Sequence, residues 1–491
     1  MTMDRLGFNG IDARTGDYLL SLSPDELVAL ACGEGLDPEA VLAGRGGQRG
    51  TGEAHYGVTE GVDVRDLGQA GWGVVFPAAR PDDPGSLAEQ AAILEALQPL
   101  MALRQKQAGR CNERAFRVFK GPDGLRPNED KRRFLARHGA GDGPANPEDV
   151  PYYLLLVGDP TRIPFRVQSL LSGARAVGRI CFDTIEGYAQ YARSVVEAES
   201  QPLVSPRRVT FFGVENADDR ATRASARHLV EPLADALACN PRFAAWSVDR
   251  VIGAGATRDA LGALLGSGDP PALLFTASHG LGFPNGDPQQ IAAQGALLCQ
   301  DWPGRKAWRG KPIPEEFYLA GHHLSADTSL LGTIAFLFAC YGAGTPQQDE
   351  FARQAFKARA DIAPRAFVAA LPQAMLNRPK GGALAVIGHV ERAWGHSFLL
   401  EGSAESGQAR PQIAVFESAL RSLMSGMPVG AAMEYFHART GDLSSALAAL
   451  VEAREFGEAV DEIALADLWT ANNDARGYAI LGDPAVRLGG A

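Results

Sequence analysis

The chain has 491 residues, 46% hydrophobic and 21% charged, enough for about three domains or one lobed enzyme and apolar enough to exclude a disordered protein. Its 47 basic and 58 acidic residues give a net charge of −11, which argues against nucleic acid or an anionic membrane as the main partner. Six scattered cysteines without a CxxC pair argue against a disulfide scaffold or zinc cluster. With no secretory pattern and no apolar run of about 20 residues, we expect a cytoplasmic protein.

The first 68 residues carry no recognisable chemistry. Residues 24–43 begin with a capping-box pattern and are predicted to form one or two short helices, and the glycine-rich residues 44–57 mark a plausible boundary. We therefore expect 1–68 to be a short helical or irregular N-terminal segment, 69–170 a smaller α/β subdomain and 171–491 the main domain.

From about residue 70 onward, apolar strands alternate with helices. Strands are predicted at 71–78, 152–159, 176–183, 207–214, 271–278, 333–340, 381–390 and 478–488. Helices are predicted at 86–107, 184–199, 218–239 and 256–267, with several more in 411–475. This alternation predicts an α/β fold with a doubly wound, mostly parallel sheet, whose functional crevice lies at the carboxyl ends of its strands.

Two strand ends carry reactive side chains. His279 and Gly280 follow one strongly apolar strand, and Cys340 closes another. An imidazole beside a thiol can take its proton, and backbone N–H groups of Gly280 and Cys340 would form a donor pair for a tetrahedral oxyanion. A buried cysteine and a histidine in a capped turn are the structural alternative, and the residue chemistry alone leaves the two open.

The region from about 150 to 491 resembles the gingipain family of clan CD cysteine peptidases, relatives of the caspases. The resemblance rests on five short motifs in the family's order, together with a tryptophan after the next apolar strand. They are LLLVGD at 154–159, a GR-containing strand at 178–179, SHG at 278–280 where the family has GHG, ACYGAG at 339–344 and GDP at 482–484. The resemblance implies a caspase-like fold.

Carried to this chain, the resemblance implies a role for each residue of the predicted site. Cys340 would be the nucleophile and His279 the general base and acid, with Gly280 and Cys340 forming the oxyanion hole. Glu215, at the exit of the preceding strand, matches the acid that orients the histidine. A helix cap is the alternative role for Glu215.

The resemblance implies less about specificity. Asp219, Trp394 and Glu391 are the candidate substrate-binding residues. A tryptophan face on which a guanidinium can stack favours Arg or Lys before the scissile bond. Arg220 and Arg223, close to Asp219, leave open a preference for Asp or Glu before the scissile bond. The rival interpretation of Trp394 is that it fills the core.

We interpret the chain as a bacterial-type, caspase-like cysteine endopeptidase, site-specific and regulated, with a role in defence or cell-death signalling as a hypothesis from analogy. Its expected partners are a protein substrate and a regulatory protein. No cofactor is expected, a structural calcium ion is not indicated, and His322 and His323 lack an acid-rich ligand set for a metal. Residues 281–332 are expected to form a mobile excursion over the crevice. A catalytically inactive scaffold and a thiol-dependent hydrolase of small amides are the alternatives.

Overall fold

A computed structural model describes residues 9–19, 28, 57–200, 207–266, 269–308, 310–351, 359–400 and 410–489. The helices predicted within 24–43 therefore lie outside the described residues, apart from residue 28. The same holds for most of the glycine-rich residues 44–57.

A ten-stranded sheet forms the centre of the molecule. In chain order its strands are β1 (Trp72–Val75), β2 (Phe116–Phe119), β3 (Tyr153–Val157), β4 (Ala176–Ile180), β5 (Arg208–Gly213), β6 (Ser247–Ile252), β7 (Leu273–Ala277), β8 (Ile334–Phe338), β9 (Ala385–His389) and β10 (Tyr478–Gly482). Across the sheet the order is β2-β1-β3-β4-β10-β9-β8-β7-β5-β6. All neighbours are parallel except β9 and β10, which pair antiparallel. The predicted α/β class with a mostly parallel sheet is confirmed.

Helices cover the sheet and connect its parallel strands. Those of six residues or more are α1 (Pro84–Ala96), α2 (Gln98–Ala108), α3 (Lys131–Arg137), α4 (Phe165–Ser172), α5 (Ile185–Ser200), α6 (Arg220–Ser225), α7 (Glu231–Ala238), α8 (Arg258–Gly266), α9 (Ala370–Leu376), α10 (Ala414–Met424), α11 (Glu434–Glu455) and α12 (Glu462–Ala475). The helix predicted at 86–107 is two helices, because Pro99 in the first turn of α2 has no N–H to continue α1. Between α6 and α7 the chain makes a π-helical turn.

Two strands of the central sheet, β2 and β6, were not predicted, and both lie at its edges. Among the described residues, each pairs with one neighbouring strand of the sheet. The residues of β6 are exposed or half-buried, and only one of the four in β2 is buried. A strand with water on one side carries charged residues, so it lacks the continuous apolar run that marks a central parallel strand.

The sheet runs without a break across the boundary predicted at residue 170. β3 and β4 pair in parallel over their whole length, from Tyr153 opposite Ala176 onward. The GDP motif ties the same two regions together, since buried Asp483 accepts hydrogen bonds from Trp72 Nε1 at 2.9 Å and from Arg104 Nε at 2.7 Å. Regions 69–170 and 171–491 therefore share one sheet and its core.

A second, four-stranded sheet stands at the carboxyl edge of the central one. Its strands, in spatial order, are Gly10–Asp12, His279–Gly282, Leu297–Leu298 and Tyr318–Leu319. Residues 281–332, expected to form an excursion over the crevice, contribute two whole strands of this sheet and the last two residues of His279–Gly282. A separate apolar cluster beneath them includes Leu281, Trp302 and Tyr318.

Residues 9–19, the N-terminal hairpin, complete this small sheet. Gly10–Asp12 runs parallel to His279–Gly282, with Gly10 opposite Gly280. The chain then turns back, so that Tyr18 bridges to Ile11. Arg14 holds the turn in place through a salt bridge of 2.5 Å to Asp287. The hairpin therefore lies at the functional edge of the central sheet.

Candidate active site

The predicted histidine and cysteine lie at the ends of neighbouring strands. β7 and β8 pair in parallel with Ala277 opposite Phe338, so His279 and Cys340 both leave the sheet at its carboxyl edge. The backbones touch there: a Cβ on Gly280 would lie 1.9 Å from the carbonyl oxygen of Cys340. Only glycine permits this approach, which explains the glycine after the histidine.

Asp219 is the acid beside the histidine. Its Oδ2 lies 2.6 Å from Nε2 of His279, and both side chains are buried. A carboxylate is acceptor-only, so the proton between them sits on Nε2. Nδ1 of His279 has no hydrogen-bond partner within the described ranges. The pair therefore leaves Nδ1 as the nitrogen that can exchange a proton.

The position of Asp219 is fixed by the helix that it begins. As the N-cap of α6, it accepts a hydrogen bond from the Thr222 amide at 2.9 Å. Tyr18 of the hairpin adds a hydroxyl bond of 3.3 Å to Oδ2. Burial raises the pKa of Asp219, but the charge and hydrogen bond of His279 and the bonds from Thr222 outweigh it and lower the pKa to about 2. Asp219 thus stays an anion against the imidazole.

The prediction that Glu215 orients the histidine is not met by the geometry. Glu215 turns to the surface, where its carboxylate lies 2.6 Å from Arg227 and 3.7 Å from Arg223. Asp219, expected to bind substrate, stands against His279 instead. The sequence signal for Asp219 was its place immediately before a helix, with a threonine three residues later, and that pattern indicates a cap without indicating what else the cap contacts.

Both predicted oxyanion donors meet at one acceptor. The N–H of Gly280 and the N–H of Cys340 donate to the carbonyl oxygen of Asn9, at N···O distances of 2.9 and 3.0 Å. Asn9 begins the N-terminal hairpin, in the part of the chain for which the sequence indicated no chemistry. A peptide carbonyl of the chain itself thus occupies the place that the resemblance assigns to a substrate carbonyl.

The Cys340 sulfur lies next to Gly10, the residue that follows the Asn9 carbonyl. A Cβ on Gly10 would lie 2.7 Å from Cys340 Sγ, and the Ala393 amide donates to Sγ at 3.2 Å. The side chain is fully buried. Burial raises the pKa of the Cys340 thiol, although the Ala393 hydrogen bond and the charge of Arg392 oppose it. In this arrangement burial disfavours the thiolate form of Cys340, and the sulfur lies next to Gly10.

The side chain and amide of Asn9 are also bound. Its backbone N–H donates to Ala393 O at 3.0 Å. Its carboxamide Nδ2 donates to Ser278 O at 3.1 Å and to Ser225 Oγ at 3.3 Å. Asn9 is 1% exposed, so the carboxamide fills a closed pocket. Sequence reasoning missed this residue, because nothing local in FNGID indicates pairing with a strand some 270 residues away.

The structure places Trp394 in the core. Trp394 is buried and stacks on Phe351 with ring centroids 4.7 Å apart. The rival interpretation, core filler, describes its surroundings better than an open stacking face does.

Glu391 belongs to a buried ion cluster. It pairs with Arg392 at 2.7 Å, and Arg392 in turn pairs with Asp349 at 2.9 Å. Burial raises the pKa of Glu391 to about 8, despite the charge of Arg392. Its carboxyl group is thus engaged within the protein and is not presented to a substrate.

His322 and His323 have an acidic neighbour that the sequence did not indicate. Glu315 lies 3.5 Å from Nε2 of His322 and 3.2 Å from Nε2 of His323, on the surface of the small sheet. The backbone N–H of Ala320 donates to His323 Nδ1 at 3.0 Å. These hydrogen bonds satisfy both ring nitrogens of His323 within the protein.

Comparisons with known proteins give a distant likeness of fold. No family model and no curated protein matches the chain. Similar solved structures include one described only as a protease, with 13% identity, TM-score 0.43 and coverage of 86% of this chain and 80% of the other. A second is the Arg-specific cysteine proteinase gingipain R, with 11% identity, TM-score 0.43 and coverage of 88% and 80%. A third is the complex of the pro- and mature domains of RgpB from Porphyromonas gingivalis, with 10% identity, TM-score 0.42 and coverage of 85% and 80%.

Within the described ranges, no helix has the length and apolar character needed to cross a bilayer.

Proposed function

We propose that this protein is a cysteine peptidase whose nucleophile is Cys340. The observation that carries the proposal is the convergence of the Gly280 and Cys340 N–H groups on one peptide carbonyl oxygen, at 2.9 and 3.0 Å, beside the Cys340 sulfur. Acyl transfer places negative charge on that oxygen, and two fixed backbone donors stabilise it. The arrangement requires no metal or cofactor for the step.

His279 and Asp219 supply the proton chemistry. His279 takes the proton of the Cys340 thiol at Nδ1 as the sulfur attacks, and gives it to the departing amine. Asp219 holds the opposite nitrogen at 2.6 Å, which fixes the tautomer and stabilises the imidazolium that forms. The thioester left on Cys340 is then hydrolysed by water.

Two features favour a peptidase over the alternatives. The site accommodates an extended strand, Gly10–Asp12, paired with His279–Gly282, whereas a small-amide hydrolase would need a closed cavity. The thiol, imidazole and carboxylate are all present in one site, which disfavours an inactive scaffold. A role in defence or cell-death signalling, and a cytoplasmic location, stay predictions.

The proposed peptidase is also regulated. The N-terminal hairpin covers the thiol, and burial holds the thiol neutral. A substrate can reach Cys340 only after the hairpin moves or is cut. A regulatory protein that draws the hairpin away would therefore act as an activator.

Covalent labelling tests the proposal. Peptidyl acyloxymethyl ketones with Arg, Lys, Asp or Leu before the reactive group are applied to wild type, Cys340→Ala and His279→Ala, and the labelled residue is identified by peptide mass spectrometry. We expect slow labelling of Cys340 in wild type, limited by movement or cleavage of the hairpin that covers the thiol, no labelling of that position in Cys340→Ala, and a strong reduction in His279→Ala. Equal labelling of the Cys340→Ala protein would contradict the proposal.

A further inference from the structure

We infer that Asn9 is bound as the residue before a scissile bond, so that the protein cleaves its own chain between Asn9 and Gly10 and prefers asparagine at that position in other substrates. The inference rests on the proposed cysteine peptidase function and adds the substrate class and the first cleavage site. The hairpin is then the enzyme's own substrate, seated in the intact chain.

The backbone of Asn9 makes the contacts that a reacting residue needs. Its carbonyl oxygen receives both oxyanion donors, and its N–H donates to Ala393 O at 3.0 Å, so it is held from two sides. On the far side of the bond, Gly10–Asp12 pairs in parallel with His279–Gly282. The Asn9–Gly10 peptide bond is therefore held in place next to Cys340, where a Cβ on Gly10 would lie 2.7 Å from Sγ.

The pocket around the Asn9 side chain suits a carboxamide. Nδ2 donates to the Ser278 carbonyl and the Ser225 hydroxyl, at 3.1 and 3.3 Å. An aspartate of the same shape would lose this donor and turn a negative charge toward the Ser278 carbonyl. A site built around a buried hydrogen bond discriminates strongly against an analogue that lacks it.

The pocket does not suit arginine or lysine, the preference that we expected from the sequence. Asp219, the acid considered for pairing with such a cation, accepts hydrogen bonds from His279, Thr222 and Tyr18. Trp394, the expected stacking face, is packed on Phe351. Asn9 itself is 1% exposed, so a longer side chain has no open space beyond the carboxamide.

The cleavage balances with water as the only co-reactant. Cys340 Sγ forms a bond to the Asn9 carbonyl carbon while its proton passes to His279. The carbon–nitrogen bond to Gly10 breaks, and His279 returns that proton to the Gly10 nitrogen, which leaves as the new amino terminus. Water then hydrolyses the Asn9 thioester, giving the Asn9 carboxylate and the free thiol.

The first test follows the full chain in wild type, Asn9→Asp, Asn9→Gln and Cys340→Ala by intact mass and N-terminal sequencing. We expect a wild-type product that begins at Gly10, at least about 10-fold slower cleavage in both Asn9 variants, and none in Cys340→Ala. Asn9→Asp keeps the shape of the side chain, so it separates recognition from folding. A wild-type chain that stays intact overturns the inference, as does cleavage that persists in Cys340→Ala and so reflects spontaneous asparagine chemistry.

The second test separates this inference from the proposed function. Acyloxymethyl ketones with Asn, Asp, Arg, Lys or Leu are compared on wild type and on Gly10→Val, in which a side chain pushes the hairpin off the sulfur. Labelling of Cys340 fastest with the Asn probe supports the inference. Labelling fastest with another probe overturns the preference for asparagine but leaves the peptidase standing. If no probe labels Cys340 in either protein, both fail.

Discussion

Asp219 Oδ2 lies 2.6 Å from Nε2 of His279, and the two side chains are 1% and 0% exposed. The contact joins the end of β7 to the start of α6, and the two residues are 60 positions apart in the chain. Because the helix cap fixes the carboxylate, the imidazole is oriented by the fold and not by a mobile side chain. The histidine of the proposed peptidase is thereby prepared to carry a proton at Nδ1 alone.

Replacing Asp219 with asparagine should impair catalysis much more than the same change at Glu215. Asp219→Asn keeps the shape but permits the wrong imidazole tautomer and removes the charge, so we expect the labelling rate of Cys340 to fall about 10²- to 10⁴-fold. Glu215→Gln is the matched control and should change the rate less than about twofold, since its carboxylate contacts Arg227 and Arg223. A larger loss of labelling rate in Glu215→Gln than in Asp219→Asn would instead identify Glu215 as the acid that orients His279.

Asp219 should also make stability depend on pH in the acid range. Its folded pKa of about 2 lies below the ordinary 3.8, so its contribution is fully present above about pH 4 and is lost as the pH falls through about 2. That contribution is about 2 kcal/mol. We expect the gap in melting temperature between wild type and Asp219→Asn to narrow from pH 5 to pH 2. A gap that does not change with pH would contradict the assigned charge state.

Displacing the hairpin should expose the thiol. The added side chain in Gly10→Val meets Cys340 Sγ at 2.7 Å and Leu19 Cδ1 at 2.8 Å, so the hairpin must move. We expect iodoacetamide to alkylate Cys340 at least about 10-fold faster, with the pH profile shifted to lower pH, because burial no longer raises the pKa of the thiol. Gly141→Val is the control, since a Cβ there meets nothing within 4 Å. Equal rates in the two variants would mean that the hairpin does not guard the sulfur.

Trp394 should act through packing. Trp394→Ala removes a buried ring stacked on Phe351, which should lower the free energy of unfolding by about 3–5 kcal/mol. Trp394→Phe keeps an aromatic ring and should cost less, with the order of probe preference unchanged. A changed order of probe preference in the folded Trp394→Phe protein would show that Trp394 lines the substrate pocket.

Local sequence patterns predicted eight of the ten strands of the central sheet and singled out His279 and Cys340 as candidate site residues. Continuous apolar runs, which a strand with one face in water does not have, indicated β3, β7, β8 and β9. Because β7 and β8 pair in parallel, His279 and Cys340 leave the sheet at the same edge. The glycine after the histidine followed from the same logic. These conclusions needed only period, composition and the rule that strand ends share an edge.

The tertiary structure alone decided what surrounds that pair. Whether Glu215 or Asp219 reaches His279 depends on the direction in which the chain leaves β5, which no local pattern encodes. Trp394 and Glu391 look available in sequence but are buried by Phe351 and Arg392. The hairpin is the largest such case: Asn9 meets Cys340 across more than 300 residues of chain, and contacts of that separation are set by the packing of the whole fold, not by the residues on either side.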